Sequence, residues 1–317
     1  MISTSTQSKL SLLLPNQNKV LSEIIKHASP EQLNNLQEKS NLKSFLGSLF
    51  RDTLTNTKSD SILLDMLKSN PSFKNMGNFT DNLKILLTSL KEEPSLSPKL
   101  VKLESFVHSI QTINVPILKE KMVNSGVFME SKMASLADAS LQEVELSMGR
   151  DVKSNLLTLQ SDLEKLNLPN KEALQTHIDQ LITNIDYHQL LSHLSGANSL
   201  YFPFSWNQLQ EGSVTFKKAK GKKFYCEINL ILKEYGEIDL MMGLYEENQL
   251  EIQIHTEKTS LKTLIQTHLE LLRTLLIDVG ITLRIIRIHE TKDLQNPSSI
   301  AYTSETTNSH TGFEALG

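Results

Sequence analysis

One cysteine in 317 residues, Cys226, excludes an intrachain disulfide and any cysteine-based zinc cluster. It falls on the apolar side of a predicted strand, where a small buried hydrophobe is expected. No run approaches the ~18 consecutive apolar residues of a membrane span, so no membrane-spanning segment is expected. The start, MISTSTQSKLSLLLP, has no basic region ahead of its short leucine patch, so a Sec signal peptide is not expected. There is no excess of basic charge. The net charge of −4 gives no electrostatic argument for nucleic acid or an anionic membrane.

Catalytic signatures are missing too. No nucleophile elbow, P-loop or dinucleotide fingerprint occurs. His188 and His193 are five apart, a spacing that splits them between helix faces. Glu143 and Glu145 are two apart and likewise diverge, so they read as solvated charges. No enzyme, no cofactor and no metal are expected.

Glycine and aromatic residues are scarce in the first two thirds and concentrated later. Only Gly47, Gly77, Gly126 and Gly149 precede Gly196, whereas nine of the eighteen aromatics lie between Tyr201 and Tyr245. This shift divides the chain near residue 196. The reading is a disordered polar leader over 1–13, a helical region over 14–195, an aromatic connector over 196–211, an α+β domain over 212–289 and a flexible polar tail over 290–317.

Helical periodicity carries the first part. Ser29-Pro30-Glu31-Gln32 is a start signal, and Leu42, Phe45, Leu46, Leu49 and Phe50 form a stripe. Leu83, Leu86, Leu87 and Leu90 form another. Pro94, Pro98 and Pro116 punctuate the next segment, with Pro116 near a first helical turn. Met133 to Leu146 and Val152 to Leu166 read as helical, and a last helix past Pro169 carries Leu174, Ile178, Leu181 and Ile182. The connector crowds Tyr201, Phe202, Phe204 and Trp206 around Pro203, a strap expected to pack on the C-terminal sheet.

From Gly212 the period changes to two. After a lead-in strand, Phe224, Cys226, Ile228, Leu230 and Leu232 alternate with polar residues. So do Ile238, Leu240, Met242 and Leu244, and then Leu250, Ile252 and Ile254. Lys217, Lys218, Lys220, Lys222 and Lys223 surround Gly221 as a basic hairpin tip. Glu246-Glu247-Asn248-Gln249 is a short polar hairpin connection. Leu261, Leu264, Ile265, His268, Leu272, Leu275, Leu276 and Val279 then predict one amphipathic helix. Thr256 or Thr259 is placed to cap it, and Gly280 to end it in left-handed geometry. The run Ile281–Ile288 returns to strand. A small, mainly antiparallel sheet with one packed helix, preceded by a mostly α-helical region, is the expected fold class.

The segment from about Phe224 to Ile288 resembles the C-terminal domain of the flagellar hook-length control family. The shared order is strand, glycine-bearing turn, alternating strand, hairpin, alternating strand, leucine-rich helix and closing strand. Here the turn is Leu232-Lys233-Glu234-Tyr235-Gly236, and the step after the helix is Gly280-Ile281-Thr282-Leu283. The turn keeps the family's glutamate and glycine but lacks its proline and leucine at the matching places, and the family's Pro- and Thr-rich linker is missing.

The resemblance implies a soluble, monomeric type III export substrate that is cytoplasmic and then secreted through the flagellar channel. Its C-terminal domain would bind the flagellar export-gate switch subunit, and the chain would touch hook or hook-cap proteins. The partner surface it implies is Leu232, Glu234, Tyr235 and Gly236, with Gly236 expected to need a positive φ where a side chain would be strained. Without the resemblance, the same pattern fits a non-exported helical scaffold or adaptor.

Overall fold

Residues 64–290, apart from 66, 71, 72, 74, 75, 137, 138 and 220–222, are described by a computed structural model of the chain. The expectations for residues 1–63, for Lys220, Gly221 and Lys222, and for the tail lie outside these residues. The chain divides into two compact units. Residues 200–206 belong with the helical unit, while 196–199 belong with the sheet unit.

In the helical unit, helix α1 (Phe79–Leu90) turns Leu83, Leu86, Leu87 and Leu90 inward, all four buried. Asn78 caps its start, its side chain accepting the Asp81 N–H. Pro94 opens a 3₁₀ turn and Pro98 lies in the first turn of α2 (Ser97–Glu104), as the punctuation predicts. Pro116 has the same place in α3 (Val115–Val123). Then come α4 (Met129–Ser135), α5 (Leu141–Gly149) and α6 (Val152–Glu164). The long helix α7 (Lys171–Ser195) buries Leu174, Ile178, Leu181 and Ile182 and packs on α1 and α6.

The aromatic strap closes on this same unit. Tyr201 stacks on Phe79 with ring centroids 3.8 Å apart, and its hydroxyl donates to the Ser125 carbonyl at 2.9 Å. The Ser205 N–H donates to His108 O at 2.7 Å, and the Ile110 N–H donates back to Ser205 O at 3.0 Å. The expected packing of the strap on the sheet is thereby corrected. Tyr201 finds a ready apolar wall at Phe79, and the Ser205 backbone finds partners at His108 and Ile110.

The sheet has six strands in sequence order: β1 (Asn198–Tyr201), β2 (Leu209–Ala219), β3 (Lys223–Leu232), β4 (Gly236–Tyr245), β5 (Gln249–Thr256) and β6 (Thr282–Glu290). The pairs β2/β3, β3/β4 and β4/β5 are antiparallel, and β5/β6 is parallel. The parallel step requires a crossover, which α8 (Thr259–Thr267) and α9 (Leu269–Asp278) supply.

Two helices thus stand where one stripe predicts a single helix. The chain leaves helical geometry at His268 (φ −104°, ψ 9°), and the stripe conceals this because apolar residues continue on both sides. Neither predicted threonine is the N-cap. Lys258 holds that position, and the Thr256 hydroxyl accepts the Lys258 N–H at 3.4 Å. Gly280 ends α9 as expected, at φ +78°, with the Ile281 N–H donating to Leu276 O.

Register places the predicted apolar sets in rows across the sheet. Val214, Ile228, Leu240, Ile254 and Ile288 share one row. Phe216, Cys226, Met242, Ile252 and Ile286 share the next. Helices α8 and α9 lie against β5 and β6, so Leu250, Ile252, Ile254 and Leu283 are buried. The same face of β3 is only half-covered. Cys226 is therefore half-buried instead of buried, although burial still raises its thiol pKa to about 12.

Candidate functional site

The β3–β4 turn is assembled from three segments. Leu232 and Gly236 close the β3/β4 ladder, and the Lys233 N–H donates to Gln208 O at 2.8 Å, tying the turn to the start of β2. From the other side, Glu257 accepts the Glu237 N–H at 3.1 Å, while the Lys258 ammonium donates to the Glu234 carbonyl. The Gln208 side chain donates to the Glu234 carboxylate at 3.2 Å.

Gly236 sits at φ +72°, the left-handed region where a side chain is strained. A Cβ there would lie 1.9 Å from Glu257 Oε2, so the carboxylate that holds the Glu237 N–H would have to leave. The need for positive φ at this glycine is as the sequence pattern anticipates. Gly236→Ala is expected to lower the stability of the sheet unit by about 1–3 kcal/mol, read as a shift in its urea midpoint.

The four residues implied by the resemblance do not present alike. Glu234 is exposed and Tyr235 half-buried, so both face outward on the turn. Gly236 sets the backbone. Leu232 is 5% exposed and anchors the turn from below, which removes it from any contact surface.

The opposite sheet face carries a polar row: Ser213, Asn229, Asp239, His255 and His289. Asn229 donates to Asp239 at 2.8 Å, and the His255 and His289 rings stack 5.3 Å apart. Burial, then the neighbouring His289, lowers the pKa of His255. Strand alternation places His255 on this face; its alignment with His289 depends on the parallel β5/β6 register, which sequence does not give. No group of three His, Cys, Asp or Glu is arranged to hold a metal ion among the described residues.

In the helical unit, a cavity of about 10 Å³ under Tyr201, bounded by Phe79, Thr80, Lys121 and Ser125, has room for no more than one water molecule. Glu143 is not a simple solvated charge. Its carboxylate accepts the Ser140 N–H at 2.8 Å, while Ser140 Oγ accepts the Glu143 N–H, closing a capping box at the start of α5. Hydrogen bonds from Ser140 lower the carboxyl pKa of Glu143. The signal Ser-x-x-Glu is present in the sequence. Among the described residues no helix is long and apolar enough to cross a membrane.

Comparison with family models, with curated proteins and with solved structures finds no match to this chain.

Proposed function

We propose that this chain controls flagellar hook length and switches the substrate class of the flagellar type III export apparatus by binding the export-gate switch subunit. The observation that supports the reading is the element order over Lys223–Glu290. It runs strand, turn, strand, hairpin, strand, helical crossover and strand, with a left-handed glycine at the turn. The proposed contact surface is the exposed Glu234 and the outward part of Tyr235, supported by Leu232 and shaped by Gly236. The switch itself is a population shift: binding moves the gate only if the affinities for its two states differ. Neither an enzyme activity nor a cofactor enters this reading.

Hook length by electron microscopy in a strain lacking the gene tests it. Long, unregulated hooks without filaments are the expected result, and Tyr235→Ala on the complementing copy should reproduce part of that phenotype. Hooks of normal, narrow length bearing filaments would defeat the proposal. The chain would then be better read as a folded, non-exported scaffold, which the extensively buried core of the helical unit favours.

A further inference from the structure

Helix α9 buries none of its residues, although seven of the eleven between Leu269 and Val279 are apolar. Leu269, Leu272 and Leu276 are half-covered. A second set is open to solvent: Leu264 is 43% exposed, Leu271 56%, Leu275 55% and Val279 69%. With His268 between them, these residues recur at steps of four, three, four and four, a row, or seam, that runs along α8, past the break at His268, and along α9. Beside the amino-terminal half of the seam lies an apolar groove of about 420 Å³, lined by Leu264, Ile265, His268, Leu269 and Leu272. The carboxy-terminal half projects Leu275 and Val279.

We infer that this seam is a homodimer interface in which α8–α9 of two copies pack antiparallel about a two-fold axis near residue 273. Groove and projection belong to opposite ends of the same helix pair. An antiparallel copy therefore brings its own Leu275 and Val279 over the groove, and the two-fold repeats the match at the other end, as an isologous contact requires. In this register Leu271 faces Leu275 of the second copy. Residues 268 and 278 also face each other, because ten residues of helix, about 15 Å, separate them on each chain. His268 and Asp278 are both exposed, and an imidazole N–H donor there would meet a carboxylate acceptor. His268 Nδ1 already lies 2.9 Å from Leu264 O, which leaves Nε2 for the Asp278 carboxylate of the second copy. A parallel pair would instead set His268 against His268 and Asp278 against Asp278, and gains neither contact. This arrangement replaces the monomer expected from sequence, and it does not depend on the flagellar reading.

Sedimentation velocity of the full chain at micromolar concentration is the test. A species of twice 35.8 kDa is expected. Leu271→Glu should weaken it by roughly tenfold or more, since the carboxylate would be buried against Leu275 of the second copy. The geometry is tested by charge. His268→Asp sets like charges together and should weaken the dimer, whereas adding Asp278→Lys to it makes an opposite pair and restores the dimer. His268→Lys, which sets an ammonium against the Asp278 carboxylate, should tighten the dimer. All these positions are exposed, so far-UV circular dichroism should be unchanged, and a variant with an altered spectrum is replaced by the charge pair. A monomer at every concentration, a dimer indifferent to Leu271→Glu, or a double charge swap without rescue each overturns the inference. A monomer whose seam is instead cross-linked by a different protein assigns the surface to that partner and equally overturns it.

Discussion

Replacing Lys153 with methionine is expected to destabilise the helical unit by about 3–5 kcal/mol, the range for breaking a buried ion pair from one side. The side chain is 1% exposed. Its ammonium lies 2.8 Å from Asp186 Oδ1, 2.8 Å from Glu130 Oε1 and 2.6 Å from Gln189 Oε1. Burial alone would pull the amine pKa down, but Glu130 and Asp186 together hold it above its ordinary value, so the lysine stays charged. Gln189 extends the network by donating to Glu130 and to the carbonyls of Gly126 and Val127. Alongside, Lys132 meets the buried Asp151 at 2.6 Å, and Asp151 caps α6 through the N–H groups of Lys153 and Ser154.

Methionine fills most of the volume but takes the Lys153 ammonium away from the fully buried Asp186 carboxylate. The double variant Lys153→Met/Asp186→Leu should therefore lose less than Lys153→Met alone, because Glu130, about a third exposed, can rehydrate. Urea unfolding monitored through the single Trp206, which lies in the helical unit, reads both variants. A Lys153→Met midpoint within error of the wild type would overturn this account of the network.

None of that network was legible in the sequence. Asp151-Val152-Lys153 reads as an ordinary charged helix start, and Glu130 and Gln189 are separated from Lys153 by 23 and 36 positions. Only the packing of α4, α6 and α7 brings them together. The sheet was legible for the opposite reason. A period of two is a local property, so the rows through Ile228 and Cys226 follow from alternation once the hairpins set the register. Gly236 and Gly280 were legible because each supplies a backbone conformation that few other residues adopt. What alternation does not convey is how far a face is covered. Cys226 and Met242 share a face with the buried Ile252 and Ile254, yet remain half-open because the two helices lie chiefly against β5 and β6. Leu232 shows the same limit at the turn. Its place in the motif was readable, but its burial is a tertiary fact.

Acid is expected to unfold the helical unit through His188, one of the two histidines whose spacing in the sequence argues against a shared ligand. The ring lies on α7 beside Tyr187 and Tyr201 and is 4% exposed, whereas His193 further along the helix is exposed. Burial lowers its pKa to about 3 from the ordinary 6.5. The folded-state pKa is depressed, so the stability at stake is fully present above pH 6.5 and is lost as the pH falls toward 3, where the unfolded chain is protonated and the folded one resists. The shift amounts to on the order of 5 kcal/mol across that window. Asp151 works in the reverse sense: burial raises its carboxyl pKa, so the folded state takes up that proton early and gains from acidification. Comparison of variants separates the two. His188→Gln retains Asp151 and removes the imidazole, so its urea midpoint should fall much less between about pH 7 and pH 4 than that of the wild type. Parallel profiles for the two proteins would mean that the acid sensitivity belongs to another group. The buried imidazole would then have to be accommodated as a cation by the polar neighbours of α7.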